Sequence, residues 1–375
     1  MRTLAWRNLV HDKVRLAVTV TGIVFAVVLI VVELGLFLGF KTATSSLIDH
    51  SQADLWVTGP RVPYIEQAVP FSERKLSTIL ATPGVAGAAK YAVRFTQWKR
   101  PDGRQESVQV VGVDLSSGLG VPWNLVAGSL DDLRRRDAVF VDEIYRDKLG
   151  IDRIGQVVEI RGRRARVAGF TRGIRAFTTS PYVFTTFKNA QDFADLREDQ
   201  TLYVLVKAAP GVDVAALQSA LLSRLTDVEV VTTAGFSRMT QVYWMFTTGA
   251  GIAVLLAALL GLIVGIVVVA QTIYATTVDH IREYGTLKAM GATNGYLYGV
   301  IVRQAVISAV IGYGLGMVVS MFVVRGSAEG GAAILLPPPM AIGMLGLTLL
   351  MCVGAAVVSI NKVTRLDPAM VFKGS

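Results

Sequence analysis

The feature that most constrains this chain is a block of twenty-five residues, Leu16 to Phe40 (LAVTVTGIVFAVVLIVVELGLFLGF), in which Glu33 is the only ionisable side chain. About 20 apolar residues in a helix cross the hydrocarbon of a bilayer, where every backbone polar group must pair internally. Three more such runs follow a long polar stretch: Met245 to Val278, Ala305 to Val324 and Met340 to Ile360. A 52% hydrophobic, 17% charged composition is here too unevenly distributed for one soluble core. The expected fold class is an α-helical membrane protein with four transmembrane helices and a large polar domain inserted between the first and the second.

The expected segmentation is a cytoplasmic stretch 1–15, spans at 16–40, 243–278, 296–324 and 340–360, a polar domain at 41–242, a linker at 279–295, a loop at 325–339 and a tail at 361–375. Arg2, Arg7, Lys13 and Arg15 precede the first span, Arg282, Lys288 and Arg303 accompany the linker, and Lys362, Arg365 and Lys373 follow the fourth span. The loop between spans three and four holds only Arg325 and ends in Pro337-Pro338-Pro339. Lys and Arg in short flanks mark the cytoplasmic side, so both termini and the linker are expected inside an inner or plasma membrane and the polar domain outside. The first span is too long for a signal-peptide core and lacks a clear small-residue cleavage site.

Of the net charge of +9, the segment 41–242 supplies 4, with 26 basic against 22 acidic residues. Much of the basicity is therefore topological, and no nucleic-acid partner is expected. The single cysteine, Cys352, falls in the fourth span, so the exported domain must hold together by packing, which about two hundred residues can achieve. That domain reads as mixed α+β. Strand patterns occur at Ala53 to Gly59, Ser107 to Asp114, Ala138 to Ile144, Val157 to Phe170 (with RGRR as a hairpin tip) and Thr201 to Lys207. Helical periodicity occurs at Ser72 to Ala81 and Val214 to Leu225, the latter with Asp213 as N-cap and an apolar stripe of Val214, Leu217, Leu221, Leu222 and Leu225. Ser117 to Trp123 (SGLGVPW) reads as a loop between two lobes.

No Walker A pattern, nucleophile elbow or His-Glu-x-x-His motif is present, and His11, His50 and His280 are the only histidines. The chain is thus expected to be non-catalytic, without metal or cofactor of its own; any ATP-driven work needs another subunit. Gly35/Gly39, Gly261/Gly265 and Gly312/Gly316, each four residues apart, place small residues on single helix faces for close packing. Glu33 lies inside the apolar zone, where a carboxylate faces a cavity, partner helix or substrate, or else snorkels to the outer headgroups. Phe37, Phe40, Tyr243, Trp244 and Phe246 belong near the same membrane level, as candidate substrate-facing residues together with Glu33, or as an interfacial aromatic belt.

The N-terminal LAWRNLVHDKVRLAVTVTGIVFAVVLIV, the segment IREYGTLKAMGATNGYLYGVIVRQAVISAVIGYGLG and the tail NKVTRLDPAMVFKG resemble, in order and spacing, segments of the MacB/FtsX-type ABC transporter permeases. EYGTLKAMG is most similar to the DevC-like branch, and DAVFVDEIYRDKLGIDRIGQVVEIRGRRARVAGF resembles part of the MacB-like core domain. The resemblance implies a homodimer of four-helix permeases above two separate ATPase subunits that hold ATP and Mg, with an envelope adaptor as a further partner beside membrane lipids. Only about fifteen residues precede the first span, so the ATPase is expected on a separate chain. The linker is then a coupling helix, Asp279 to Met290, ended by Gly291 in a left-handed cap and followed by a turn at Asn294-Gly295. Arg282, Glu283 and Lys288 would offer charged contacts to the ATPase, and Tyr284, Leu287 and Met290 apolar ones. The implied function is efflux of a hydrophobic or amphipathic substrate, a lipid, glycolipid or haem. The opposing readings are an FtsX-like regulator of a cell-wall hydrolase, which transports nothing, and a membrane-anchored receptor with no ATPase.

Overall fold

The computed structural model describes residues 13–178, 180–327 and 334–364. Within them the chain forms two compact units, a membrane unit (13–39, 252–327 and 334–364) and an exported unit (40–251). The expected basic flanks at Arg2, Arg7, Arg365 and Lys373 lie outside the described residues, as do the side chains of Arg15, Arg282 and Lys362.

Helix α1 (Lys13–Asp49) does not stop at Phe40 as the apolar run implied. Its last turns belong to the exported unit, where Leu47 and Ile48 are buried in the core and Ser45 donates to Asp49 Oδ2 at 2.7 Å. Burial of two apolar residues outside the lipid-type run extends the helix beyond what hydropathy alone registers.

The exported unit then adds β1 (Leu55–Thr58), β2 (Phe71–Ser72), α2 (Lys75–Leu80), β3 (Val85–Lys99), β4 (Gln105–Val113), β5 (Leu125–Ala127) and β6 (Ala138–Asp142). It continues with α3 (Arg146–Leu149), β7 (Val157–Ile160), β8 (Arg163–Thr171), β9 (Tyr182–Thr186), α4 (Phe187–Ala194), β10 (Gln200–Thr201), β11 (Tyr203–Ala208), α5 (Val214–Arg224), β12 (Glu229–Thr232) and α6 (Thr233–Val242). Strands β12, β1, β11 and the first half of β3 pair antiparallel in that order. With α2 and α5 as the crossovers, this is the split β-α-β, β-α-β arrangement of a ferredoxin-like sheet. Its period-two alternation sends Leu55 and Val57 to one face, with Ile79, Leu217 and Leu221, and Trp56 to the other, edge-to-face with Tyr91 and Tyr203.

Everything between β3 and β11 is an insertion. The second half of β3 pairs with β4, β4 with β9, β9 with β6, β6 with β8, β8 with β7, and β7 returns to β3 at Trp98 and Lys99. Those six strands close a ring, which removes the edges an open sheet would expose. Gly112 of β4 is required there, because a Cβ would meet the Ala190 side chain of α4 at 2.4 Å.

Two further sequence expectations change, and one strand has no counterpart in the sequence reading. The lobes are joined through β3 itself, shared by sheet and ring; the loop at Ser117 to Trp123 leads from ring strand β4 to β5, which pairs with ring strand β8. In α5, Asp213 caps as expected, accepting from Ala215 N and Ala216 N, but Leu222 is 46% exposed and drops out of the buried stripe. Strand β3, the longest, lies largely in a segment whose alanines and glycines carry little alternation.

A π-helical turn, Tyr243–Thr247, and Gly249 at φ +77° precede α7 (Ala250–Asp279), the second span. It is followed by α8 (Ile281–Ala289), α9 (Asn294–Ser327) and α10 (Pro338–Thr364). Four helices of the described residues, α1, α7, α9 and α10, are long and apolar enough to cross a membrane.

Candidate functional site

In the membrane unit α1 is the hub. A Cβ at Gly261 would lie 2.9 Å from Glu33 Cγ, and one at Gly265 2.8 Å from Ile30 Cδ1. On α9, Gly312 would meet Ile23 Cγ2 at 2.5 Å and Gly316 would meet Val27 Cγ1 at 2.8 Å. Both glycine pairs are therefore notches for side chains of α1, and they let the helix axes approach. Gly35 receives the segment before α10, its carbonyl accepting from Leu335 N at 3.0 Å; Gly39 is buried. The Cβ and Cγ of Glu33 fill the Gly261 notch, and among the described residues its carboxylate has no hydrogen bond or ion pair. Thr19 and Thr276 exchange a 2.9 Å hydrogen bond along the same α1–α7 seam.

The expected coupling segment is a helix, shorter at both ends than read from sequence: Asp279 closes α7 and Met290 caps α8. Gly291 takes φ +95°, and Ala292 N returns to Leu287 O at 3.0 Å. Asn294 and Gly295 do not turn the chain. They open α9, because Thr293 serves as its cap, accepting Tyr296 N on Oγ1 at 3.4 Å and Leu297 N on its carbonyl at 3.3 Å.

The side chains of α8 divide. Tyr284 is 1% exposed and its hydroxyl donates to Gln304 Oε1 of α9 at 3.0 Å, so it anchors the helix instead of offering an outer contact. Burial, and then the charge of Glu283, raise its phenol above the ordinary value. Leu287 and Lys288 are half-buried, whereas Glu283, Thr286 and Met290, spaced three and four apart, share an exposed face, Met290 at 72%.

Of the candidate substrate-facing residues, the exported unit brings together Phe40, Tyr243 and Trp244. Phe177 bridges them, with its ring 5.7 Å from Phe40 and 4.3 Å from Trp244. Tyr64 stacks on Tyr243 at 4.0 Å and meets Trp244 edge-on at 5.2 Å. Under these rings sits Glu66, 9% exposed, its Oε2 accepting from Trp244 Nε1 at 3.4 Å and its Oε1 buried with no hydrogen-bond partner. Phe246 is 57% exposed; Glu33 and a half-buried Phe37 belong to the membrane unit.

Two family models match in chain order: the MacB-like periplasmic core domain over residues 16–224 and the FtsX-like permease C-terminal domain over 255–368. The chain belongs to the MacB/FtsX permease family. An uncharacterized ABC transporter permease of Mycobacterium tuberculosis is 26% identical over 388 residues, covering 100% of this chain and 98% of that protein. A second, of Mycobacterium bovis, is 21% identical over 384 residues with the same coverage. Among solved structures, the extracellular domain of the noncanonic ABC-type transporter YknZ from Gram-positive bacteria is 14% identical, covering 48% of this chain and 99% of that one, with a TM-score of 0.36. The periplasmic region of MacB from Actinobacillus actinomycetemcomitans is 11% identical, covering 50% and 92%, with a TM-score of 0.37.

Within this MacB/FtsX permease, Glu66 is the functional candidate that sequence reading missed. It lies in RVPYIEQAVP, a loop whose only signals are flanking prolines and a tyrosine two residues before the acid. The loop is pinned by buried Val62 and Ile65 and by Tyr203, whose hydroxyl donates to Ile65 O at 2.7 Å. Burial pushes the Glu66 carboxyl up to about 7, against the lowering effects of its own amide and the Trp244 indole. Tyr64 is pushed up to about 12 by burial, then by Tyr243 and Glu66.

Proposed function

We propose that this ABC transporter permease is the membrane subunit of an ATP-driven exporter. Two copies pair with two copies of a separate cytoplasmic ATPase, which holds ATP and Mg, while the permease carries no cofactor and catalyses nothing. The observation that carries the reading is α8, a helix between two spans with one face locked by Tyr284 and the other left exposed at Glu283, Thr286 and Met290. A push on that face passes through the Tyr284–Gln304 bond and the half-buried Leu287 into α9. Basic flanks orient the chain with both termini and α8 in the cytoplasm of an inner or plasma-membrane protein. Likeness to the DevC-like branch supports a hydrophobic or amphipathic substrate, a lipid, glycolipid or haem, and an envelope adaptor as an additional partner.

The test is co-purification of the ATPase with the full chain. The double variant Glu283→Arg, Met290→Asp should insert normally and lose about tenfold in ATPase association, since it reverses a charge and removes an apolar anchor on one contact face. Recovery of the ATPase at wild-type yield would overturn the assignment. Substrate-stimulated ATPase activity in reconstituted membranes then separates export from regulation of a cell-wall hydrolase.

A further inference from the structure

The exported unit contains two buried carboxylates with opposite provisioning. Asp142, 2% exposed, accepts Ile174 N at 2.7 Å, Thr171 Oγ1 at 3.1 Å and Ile144 N at 3.2 Å, a structural network that satisfies it. Glu66 accepts one long bond from Trp244 and has an oxygen with none. Among the described residues no cation pairs with it. The titratable groups facing it are phenols, Tyr64, Tyr182 and Tyr203, whose own ionisation its charge opposes. A buried carboxylate without counter-charge is unfavourable or is held protonated.

We propose that Glu66 and the rings of Tyr64, Tyr243 and Trp244 bind an organic cation, an ammonium group carried on an apolar body. The rings supply the electron-rich faces that attract such a cation, and all three are half-buried, within reach of solvent. Exposed Val69, Val242 and Phe246 flank these residues in sequence and offer apolar surface for the rest of the ligand. A metal ion is the wrong occupant, because it needs several hard donors and no group of three His, Cys, Asp or Glu side chains occurs among the described residues. A quaternary ammonium, which donates no hydrogen bond, matches a site with one acceptor and several rings. Binding places the positive charge where Glu66 otherwise keeps a proton, so below neutral pH the cation enters as that proton leaves. The site rests on the exported unit alone and stands whether or not the permease exports.

The experiment uses the full chain in non-ionic detergent, with phenyltrimethylammonium and its neutral isostere tert-butylbenzene as probes, read by tryptophan emission and calorimetry. The cation should bind at least about tenfold more tightly than the isostere. Glu66→Gln should lose about tenfold in cation affinity, as removal of a charge-assisted contact does, and leave the isostere unchanged. Wild-type affinity for the non-titrating cation should rise between pH 6 and 8, and the cation should release protons at pH 6.5, a readout that needs no variant. Equal binding of the two probes, equal cation binding by folded Glu66→Gln, no proton release or no binding at pH 8 would each overturn the proposal.

Discussion

The two units solve the same packing problem with opposite means. The exported unit buries both faces of its sheet under large side chains, Trp56 and Tyr203 on one side and Leu217 and Leu221 on the other. In the membrane unit the close contacts are notches: Gly261, Gly265, Gly312 and Gly316 admit Glu33, Ile30, Ile23 and Val27. Water explains the difference. Outside the bilayer apolar area drives association at about 25 cal/mol per Å², whereas in lipid the surroundings are already apolar and only shape and hydrogen bonding discriminate. Deleting atoms should therefore hurt the exported unit most, and adding them the membrane unit.

Trp56→Ala is the most severe break, removing a 0% exposed ring that touches Tyr91, Tyr203 and Phe236. It should destabilise the exported unit by about 3–5 kcal/mol, read as a fall in its thermal midpoint and faster proteolysis, with the spans still inserted. A rise or no change would mean that large-ring burial is not what holds the sheet.

Glu66→Gln tests the buried carboxylate of the exported unit that, unlike Asp142, keeps an oxygen without a hydrogen-bond partner. Because the folded carboxyl titrates near 7 instead of 4.5, the fold holds its proton more tightly than the unfolded chain does. Its contribution is fully present below about pH 4.5 and is lost as pH rises to about 7, a loss of about 3 kcal/mol. The Gln variant should thus be more stable than wild type at pH 8, with the difference vanishing below about pH 4.5. Parallel stability curves would remove the buried-charge account.

Gly312→Leu sharpens the other side of the comparison. Its Cβ alone would be 2.5 Å from Ile23 Cγ2, so α1 and α9 must separate, at about 1–3 kcal/mol. The readout is loss of a cysteine cross-link engineered between α1 and α9, while exported-unit proteolysis is unchanged. Tyr284→Phe is the mildest, removing one hydrogen bond to Gln304 for about 0.5–1.5 kcal/mol; faster hydrogen exchange confined to α8 would register it.

What sequence could reveal divides along the same line. Spans, the hairpin tip at Arg161–Gly162 and the reversing Gly291 depend on local composition or one residue's φ, and were readable. The shared strand β3, the ring closure at Trp98–Ile160 and the burial of Glu66 depend on partners far away in sequence. Glu66 meets Trp244 at a separation of 178 residues, and nothing in its own loop distinguishes it from a solvated acid. Tyr284 looked like a contact residue for the same reason: its partner, Gln304, lies on the next span.

The strand order of the sheet also fixes a sequence of events. Strand β1 is the first to emerge from the chain, yet both its neighbours, β11 through Leu205 and β12 through Val231, come last. Ring hairpins such as β7–β8 close over a two-residue turn and form early, whereas β1 must wait with two unpaired edges until almost the whole unit has been translocated. During synthesis the aggregation hazard therefore sits at LWVT, the segment destined to be most enclosed, and it ends only when Glu229–Thr232 arrives. Biogenesis of this protein would be most sensitive to anything that delays the residues just ahead of the second span.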